Sequence, residues 1–217
     1  MSMRGRIEAE IARQLGHPSG FAGRLVGRGL NRGNRRAIEA AVEALASDRD
    51  AVVADVGFGG GIGLRLLLDR AGAGTVHGID VSSEMIEQAR ARFAEDLAAG
   101  RLYLHDASIT ALPLPASSLD GLITVNTIYF VEDLGQAFHE LARTLKSSGR
   151  AVIGIGDPDA MEKMSFTAHG FHLRPVVDIE AALGAAGLTL VDHRRVGKGR
   201  ISAHLFVTTP QSSLGPK

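Results

Sequence analysis

Residues 51–80 read AVVADVGFGGGIGLRLLLDRAGAGTVHGID, and this stretch decides the fold. Ala51 to Val56 is a short apolar run rich in β-branched side chains, the composition of a strand buried on both faces. It runs into Gly57-Phe58-Gly59-Gly60-Gly61-Ile62-Gly63, after which Leu64 to Arg70 has helical apolar spacing and a glycine stop. Thr75 to Asp80 is the next strand. Strand, glycine loop, helix and strand make the repeating unit of a parallel sheet, because parallel neighbours need a crossover of a dozen or more residues.

The alternation continues outward from this unit. Residues 82–100 are predicted as a helix, with Ser83 placed to cap it and Ile86, Ala89, Phe93 and Leu97 on one apolar face. Strands are predicted at 101–107, 118–126 and 150–156, with a helix at 132–149 and a last helix at 178–187. The end of the chain breaks the pattern. LTLVDHRRV (188–196) and RISAHLFVTT (200–209) are separated by GKG alone, too short for a parallel crossover, so they must pair as a hairpin. The expected fold class is α/β: a Rossmann-like seven-stranded sheet with helices on both faces, the last strand antiparallel, and an N-terminal helical cap.

Composition sets the outer limits. The 217 residues are 45% hydrophobic, enough for one domain with a substantial core. Lysine plus arginine number 24 and aspartate plus glutamate 24, so no overall charge favours nucleic acid or an anionic membrane. There is no cysteine, which removes disulfides, thiolate metal sites and thiol catalysis. The opening MSMRGRIEAEIARQLG lacks the apolar stretch of a secretory signal, and the expected location is cytoplasmic. Charge is uneven, however: residues 1–36 hold eight arginines against Glu8 and Glu10, a basic arm interrupted by glycines.

The glycine loop narrows the ligand. Glycines at 57 and 59 let a ligand touch the backbone, where a Cβ would hold it off. Gly63 is followed by Leu64-Arg65, so the lysine and hydroxyl of a triphosphate loop are missing. A dinucleotide and S-adenosylmethionine remain. Asp55, two residues before the first glycine, would repel a pyrophosphate yet suits the ammonium and sulfonium of S-adenosylmethionine. Asp80 ends the second strand 23 residues after Gly57, where a carboxylate accepts both hydroxyls of a ribose, and this fits either ligand. Asp106 ends the third strand at the same rim, placed to accept from an adenine amino group. The competing readings are an NAD(P)-dependent oxidoreductase and a non-catalytic S-adenosylmethionine-binding protein.

Four segments in consecutive order, DVGFGGGIG (55–63), GIDVSSEMIEQAR (78–90), HDASITALPLPASSLDGLITVNTIYFVED (105–133) and LARTLKSSGRAVIGI (141–155), resemble the class I S-adenosylmethionine-dependent methyltransferases. The likeness is to the small-molecule branch that includes the ubiquinone and menaquinone methyltransferases. It implies a sheet ordered 3-2-1-4-5-7-6 and methyl transfer to O, N or C of a small-molecule acceptor by in-line displacement. It also implies that Asp55, Gly57 and Gly59 hold the methionine part and Asp80 the ribose. Val81 and Met85 would then flank the adenine, with Asp106 and Ala107 at its amino edge. LVGRGLNRGNRRAIE (25–39) looks like the segment that lies over the cofactor in related bacterial enzymes, which makes Asn31 and Asn34 candidates for closing the site. The loop departs from the family pattern in Phe58, where a small residue or cysteine is usual, and in Gly60, where threonine or proline is.

On the acceptor side, Asn126-Thr127-Ile128-Tyr129 lacks the two prolines with which nucleic-acid amino-methyltransferases grip an extruded base. A small acceptor is expected, with no nucleic acid and no membrane as partner. Asn126 and Tyr129 are placed to orient it, and Asn126 is also a candidate for binding the cofactor. His169 and His172, in FTAHGFHLRP (166–175), are the candidates for a base, and no companion ligands accompany them toward a metal site. Met161, Met164, Phe166 and Phe171 in the same segment make a candidate apolar wall. The expected organisation is one domain: a helical cap at 1–48, a cofactor-binding core at 51–156, a substrate lid at 157–177, and the helix and terminal hairpin at 178–209.

Overall fold

A computed structural model of the chain describes residues 34–198 and 202–211. The elements in chain order are α1 (34–45), β1 (Val52–Val56), α2 (Ile62–Arg70), β2 (Thr75–Asp80), α3 (Ser83–Arg92), α4 (Ala94–Ala98) and β3 (Leu102–Asp106). There follow β4 (Leu119–Val125), α5 (Leu134–Thr144), β5 (Leu145–Gly156), α6 (Pro158–Met161), α7 (Val176–Ala185), β6 (Leu188–Val196) and β7 (Ala203–Pro210). Single 3-10 turns sit at Ile128–Phe130 and Ser165–Ala168.

The seven strands form one sheet in the order β3-β2-β1-β4-β5-β7-β6. Six run in one direction, and β7 runs against them, antiparallel to both β5 and β6, the second pairing being the one that the short link between 196 and 200 requires. Alternation along each strand sends successive side chains to opposite faces. Val53, Val76, Ile123, Val152 and Leu205 meet α1, α2 and α3 in one apolar cluster. Ala54, Leu122, Ile153 and Phe206 meet α5 and α7 in the other. The parallel register brings Val56 level with Ile79 and Asp80 level with Asp106, so the ends of β1, β2 and β3 share one rim. No described helix is long and apolar enough to cross a membrane.

Three local expectations change. The cap of α3 is Ser82, whose hydroxyl accepts from the Met85 N–H; Ser83 is already helical. The single helix expected over 82–100 splits at Phe93 into α3 and α4. The Phe93 ring is fully buried, with the Arg65 guanidinium 4.7 Å above its centroid, and anchoring that ring leaves its backbone out of helical geometry. Finally, residues 145–149 extend β5 and do not continue α5, because Leu145 pairs with Leu119 across a bulge.

Candidate active site

The site starts from a turn that glycine alone permits. The Gly57 N–H donates to Ile79 O at 2.7 Å, which folds the chain from β1 over the end of β2. Gly57 has φ 75°, and a Cβ there would meet the Thr127 side chain at 2.2 to 2.9 Å. Gly59 has φ 49° and faces open space: a Cβ would meet no atom within 4 Å. Gly57 and Gly59 both line a cavity of about 250 Å³ at the C-terminal ends of β1, β2 and β4. Phe58 points the other way and is buried, lying against Gly78, which carries no side chain to exclude it. The large residue in the loop is thus matched by a missing one on β2.

Asp80 is the carboxylate of this cavity. It is 8% exposed; Oδ2 accepts the Gly59 N–H at 2.8 Å and Oδ1 the Ser82 N–H at 2.9 Å. Burial raises its pKa, against the lowering effect of the Ser82, Gly59 and Val81 N–H groups. Val81, half exposed, and Met85 line the cavity beside it, and Ala107, Ser108 and Ile109 continue the wall from β3.

Asp55 and Asp106 lie elsewhere. Asp55 is 4% exposed and absent from the cavity lining; it accepts the Leu64 N–H behind the loop, in the space that a Cβ on Gly63 would fill. This differs from the direct ligand contact expected of it, and the reason is that the end of β1 is covered by its own loop. Burial, reinforced by the nearby charge of Asp80, pushes the Asp55 carboxyl up to about 8. Asp106 is exposed and outside the lining, because the chain turns inward one residue later at Ala107. Asn34 stands at the first described residue of α1, away from the lining, and Asn31 lies outside the described residues.

The opposite end of the cavity is formed after β4 by Asn126, Thr127, Phe130 and Val131. Tyr129 is 4% exposed, and its hydroxyl lies between Asn126 Oδ1 and the backbone of Gly156. Burial drives its pKa upward. Tyr129 therefore braces β4 against β5 and does not reach the cavity, contrary to the role expected of it. His169 and His172 are also outside the lining; the His172 N–H donates to Tyr129 O at 2.8 Å, and its side chain is exposed. Phe171 does approach, packing edge-on against the cavity residue Phe130 at 4.8 Å between centroids, with Phe166 behind it at 5.7 Å.

Sequence reasoning missed two features of this end. Arg174 donates to Ile128 O, Val131 O, Glu132 O and His172 O at 2.7 to 3.3 Å, clasping the turn after β4 to the segment before α7. A relay of side chains runs from Glu180 to His193 (3.0 Å), His204 (2.9 Å) and Asp157 (3.6 Å), joining α7, the hairpin and the cap of α6. Neither has a motif, since apart from His172, two residues before Arg174, the partners are 11 to 47 residues apart. Thr127, Phe130 and Val131 were signalled only by their place after a strand end.

Residues 54–153 match the family model described as a methyltransferase domain. The chain is 30% identical over 138 residues to the uncharacterized methyltransferase YdaC of Bacillus subtilis, covering 64% of this chain and 74% of that one. It is 31% identical over 102 residues to the ubiquinone/menaquinone biosynthesis C-methyltransferase UbiE of Geotalea daltonii, covering 46% and 43%. A further relative, 41% identical over 108 residues, is spanned over 30% of its length. Among solved structures, the chain in complex with the Haloferax volcanii Trm112 methyltransferase activator aligns at a TM-score of 0.75 and 20% identity, over 97% of this chain and all of that one. At that identity the likeness is one of fold.

Proposed function

The chain belongs to the class I S-adenosylmethionine-dependent methyltransferases, and we propose that the cavity over β1, β2 and β4 holds that cofactor while a small organic acceptor enters past Asn126 and Phe130. The observation that carries this reading is the pairing of Asp80 with Gly59. The loop N–H orients a carboxylate, the complement of a ribose diol, beside a glycine with empty space where a Cβ would stand. In this reading Gly57 and Gly59 make room for the methionine part, Val81 and Met85 cover the adenine, and Ala107 and Ser108 edge it. Asp55 acts from behind, holding the junction of loop and α2.

When bound, S-adenosylmethionine supplies a methyl group on a sulfonium; an acceptor lone pair takes that carbon and the carbon–sulfur electron pair stays on sulfur. The chain's own work is to align and to exclude water. Phe130 and Val131 give the acceptor end an apolar wall, and residues 157–177 form its cover, with Phe171 packed on Phe130. Asp80 is the only ionisable side chain among the described lining residues, and it is committed to the ribose. The acceptor therefore enters in its nucleophilic form. A small acceptor suits the balanced charge of the chain; of the cap expected at 1–48, residues 1–33 lie outside the described residues.

Isothermal titration with S-adenosylmethionine, S-adenosylhomocysteine and NADP tests this. The first two are expected to bind, and Asp80→Ala to abolish or greatly weaken both. Binding of NADP alone would overturn the reading and point to redox chemistry.

A further inference from the structure

Asn126 and Thr127 are the polar side chains that line the cavity after β4, with β1 between them and Asp80 at the end of β2, and the Thr127 hydroxyl is already committed to Val56 O. The Asn126 backbone has φ 59°, a left-handed conformation that asparagine tolerates better than most residues. Its own N–H donates to Gly154 O at 2.8 Å, tying the residue to β5. The side-chain oxygen receives the Gly156 N–H at 3.1 Å and lies 3.4 Å from the Tyr129 hydroxyl. A backbone N–H can only donate, so this contact fixes the amide: oxygen toward β5, nitrogen turned away from it. Asn126 lines the cavity, no described residue accepts from its amide nitrogen, and that nitrogen is not among the buried unpaired atoms.

We infer that this amide N–H group faces the methyl acceptor and selects one that presents an oxyanion, a phenolate or an enolate, over one that presents an amine. The inference rests on the methyl-transfer reading above and deepens it. An ammonium would meet the positive end of the amide dipole, with no carboxylate nearby to offset it, since the one acid of the lining is at the other end. An amine would also have to shed its proton where no lining group takes it. A phenolate or enolate needs no base, accepts one amide N–H, and rests its carbon frame on Phe130 and Phe171. Water exclusion by that wall strengthens the polar contact.

The test titrates protein saturated with S-adenosylhomocysteine against two probes that share a ring and differ in charge, 4-nitrophenolate and 4-nitrobenzylammonium. Wild type is expected to bind the phenolate about tenfold or more tightly than the ammonium, the effect of one charge-assisted contact. Asn126→Asp keeps the shape and the left-handed backbone and replaces the donor with a negative oxygen; it is expected to reverse the order. Asn126→Gly removes the amide at a φ that glycine adopts freely, and is expected to erase the preference. Equal affinities in wild type, failure of both probes to bind, or an unchanged order in Asn126→Asp overturn the inference. So does an Asn126→Asp protein that no longer takes S-adenosylhomocysteine, because the amide would then serve the cofactor. A wild-type protein that takes no S-adenosylhomocysteine breaks the methyl-transfer reading, and this inference with it, before any probe is added.

Discussion

At one end of the cavity a carboxylate is held by backbone; at the other an amide is held by a neighbouring strand and a phenol. Asp80 takes its orientation from Gly59, 21 residues away, and Ser82, two residues away, all inside one strand–helix–strand unit. Asn126 takes its orientation from Gly156 and Tyr129, and the turn that follows it is pinned by Arg174, more than 40 residues on. The Asp80 carboxylate is therefore oriented once β1, α2, β2 and the start of α3 have packed. The β4 end needs β5, the 157–177 segment and the approach to α7 as well. Local construction makes the first end stiff, whereas the second depends on contacts that can loosen without disturbing the first.

Four experiments probe that division. The largest effect is expected from Gly57→Ala, which places a methyl group against Thr127 at φ 75°. Overpacking and a left-handed alanine together cost about 3 kcal/mol, read as a lower urea midpoint, and adding Thr127→Ala should recover part of it. No loss of stability would mean that the two ends do not meet at this point. Asp80→Ala should weaken S-adenosylhomocysteine binding by about 100-fold, the loss of two charge-assisted contacts; an unchanged affinity in calorimetry would remove Asp80 from the site.

The third experiment uses pH. Burial pushes the Asp55 carboxyl up to about 8 in the folded chain, from an ordinary value of 3.8. Between those values the folded form keeps a proton that the unfolded form has released. Its contribution to stability is thus complete below pH 4 and is lost as pH rises through 8, with a slope of at most about 1.4 kcal/mol per pH unit. Asp55→Asn mimics the protonated form and should flatten the slope of unfolding free energy against pH. An identical slope in both proteins would place the charge of Asp55 elsewhere. The smallest effect is expected from Arg174→Met, about 1 kcal/mol, with faster amide exchange at 128–132 and 171–174 and none at 75–85. Equal acceleration at both ends would show that they are one cooperative unit.

The same division explains what could be read from the sequence. The strand order, the terminal hairpin and the positions of Gly57, Gly59, Asp80, Val81 and Met85 were legible because each follows from a local pattern: a glycine where φ is positive, an acid at a strand end, an apolar pair at the start of a helix. Asp55 misled because spacing gives the strand position of a carboxylate and not which way its loop covers it. Tyr129, His169 and His172 were chosen for chemistry, yet their surroundings are set by β5 and by the chain around Phe171, which no short window contains. Ser82 replaced Ser83 as a cap by a shift of one residue, the usual resolution of capping signals.

The Arg174 clasp closes on four carbonyl oxygens and no side chain. Every residue type supplies a carbonyl, so mutation at Ile128, Val131, Glu132 or His172 changes side chains at and around the cavity residue Val131 without removing a partner of the clasp. Descendants of this sequence can thus exchange the residues around an acceptor one at a time while the attachment of that region is inherited unchanged. A single arginine uncouples the drift of specificity from the maintenance of the fold.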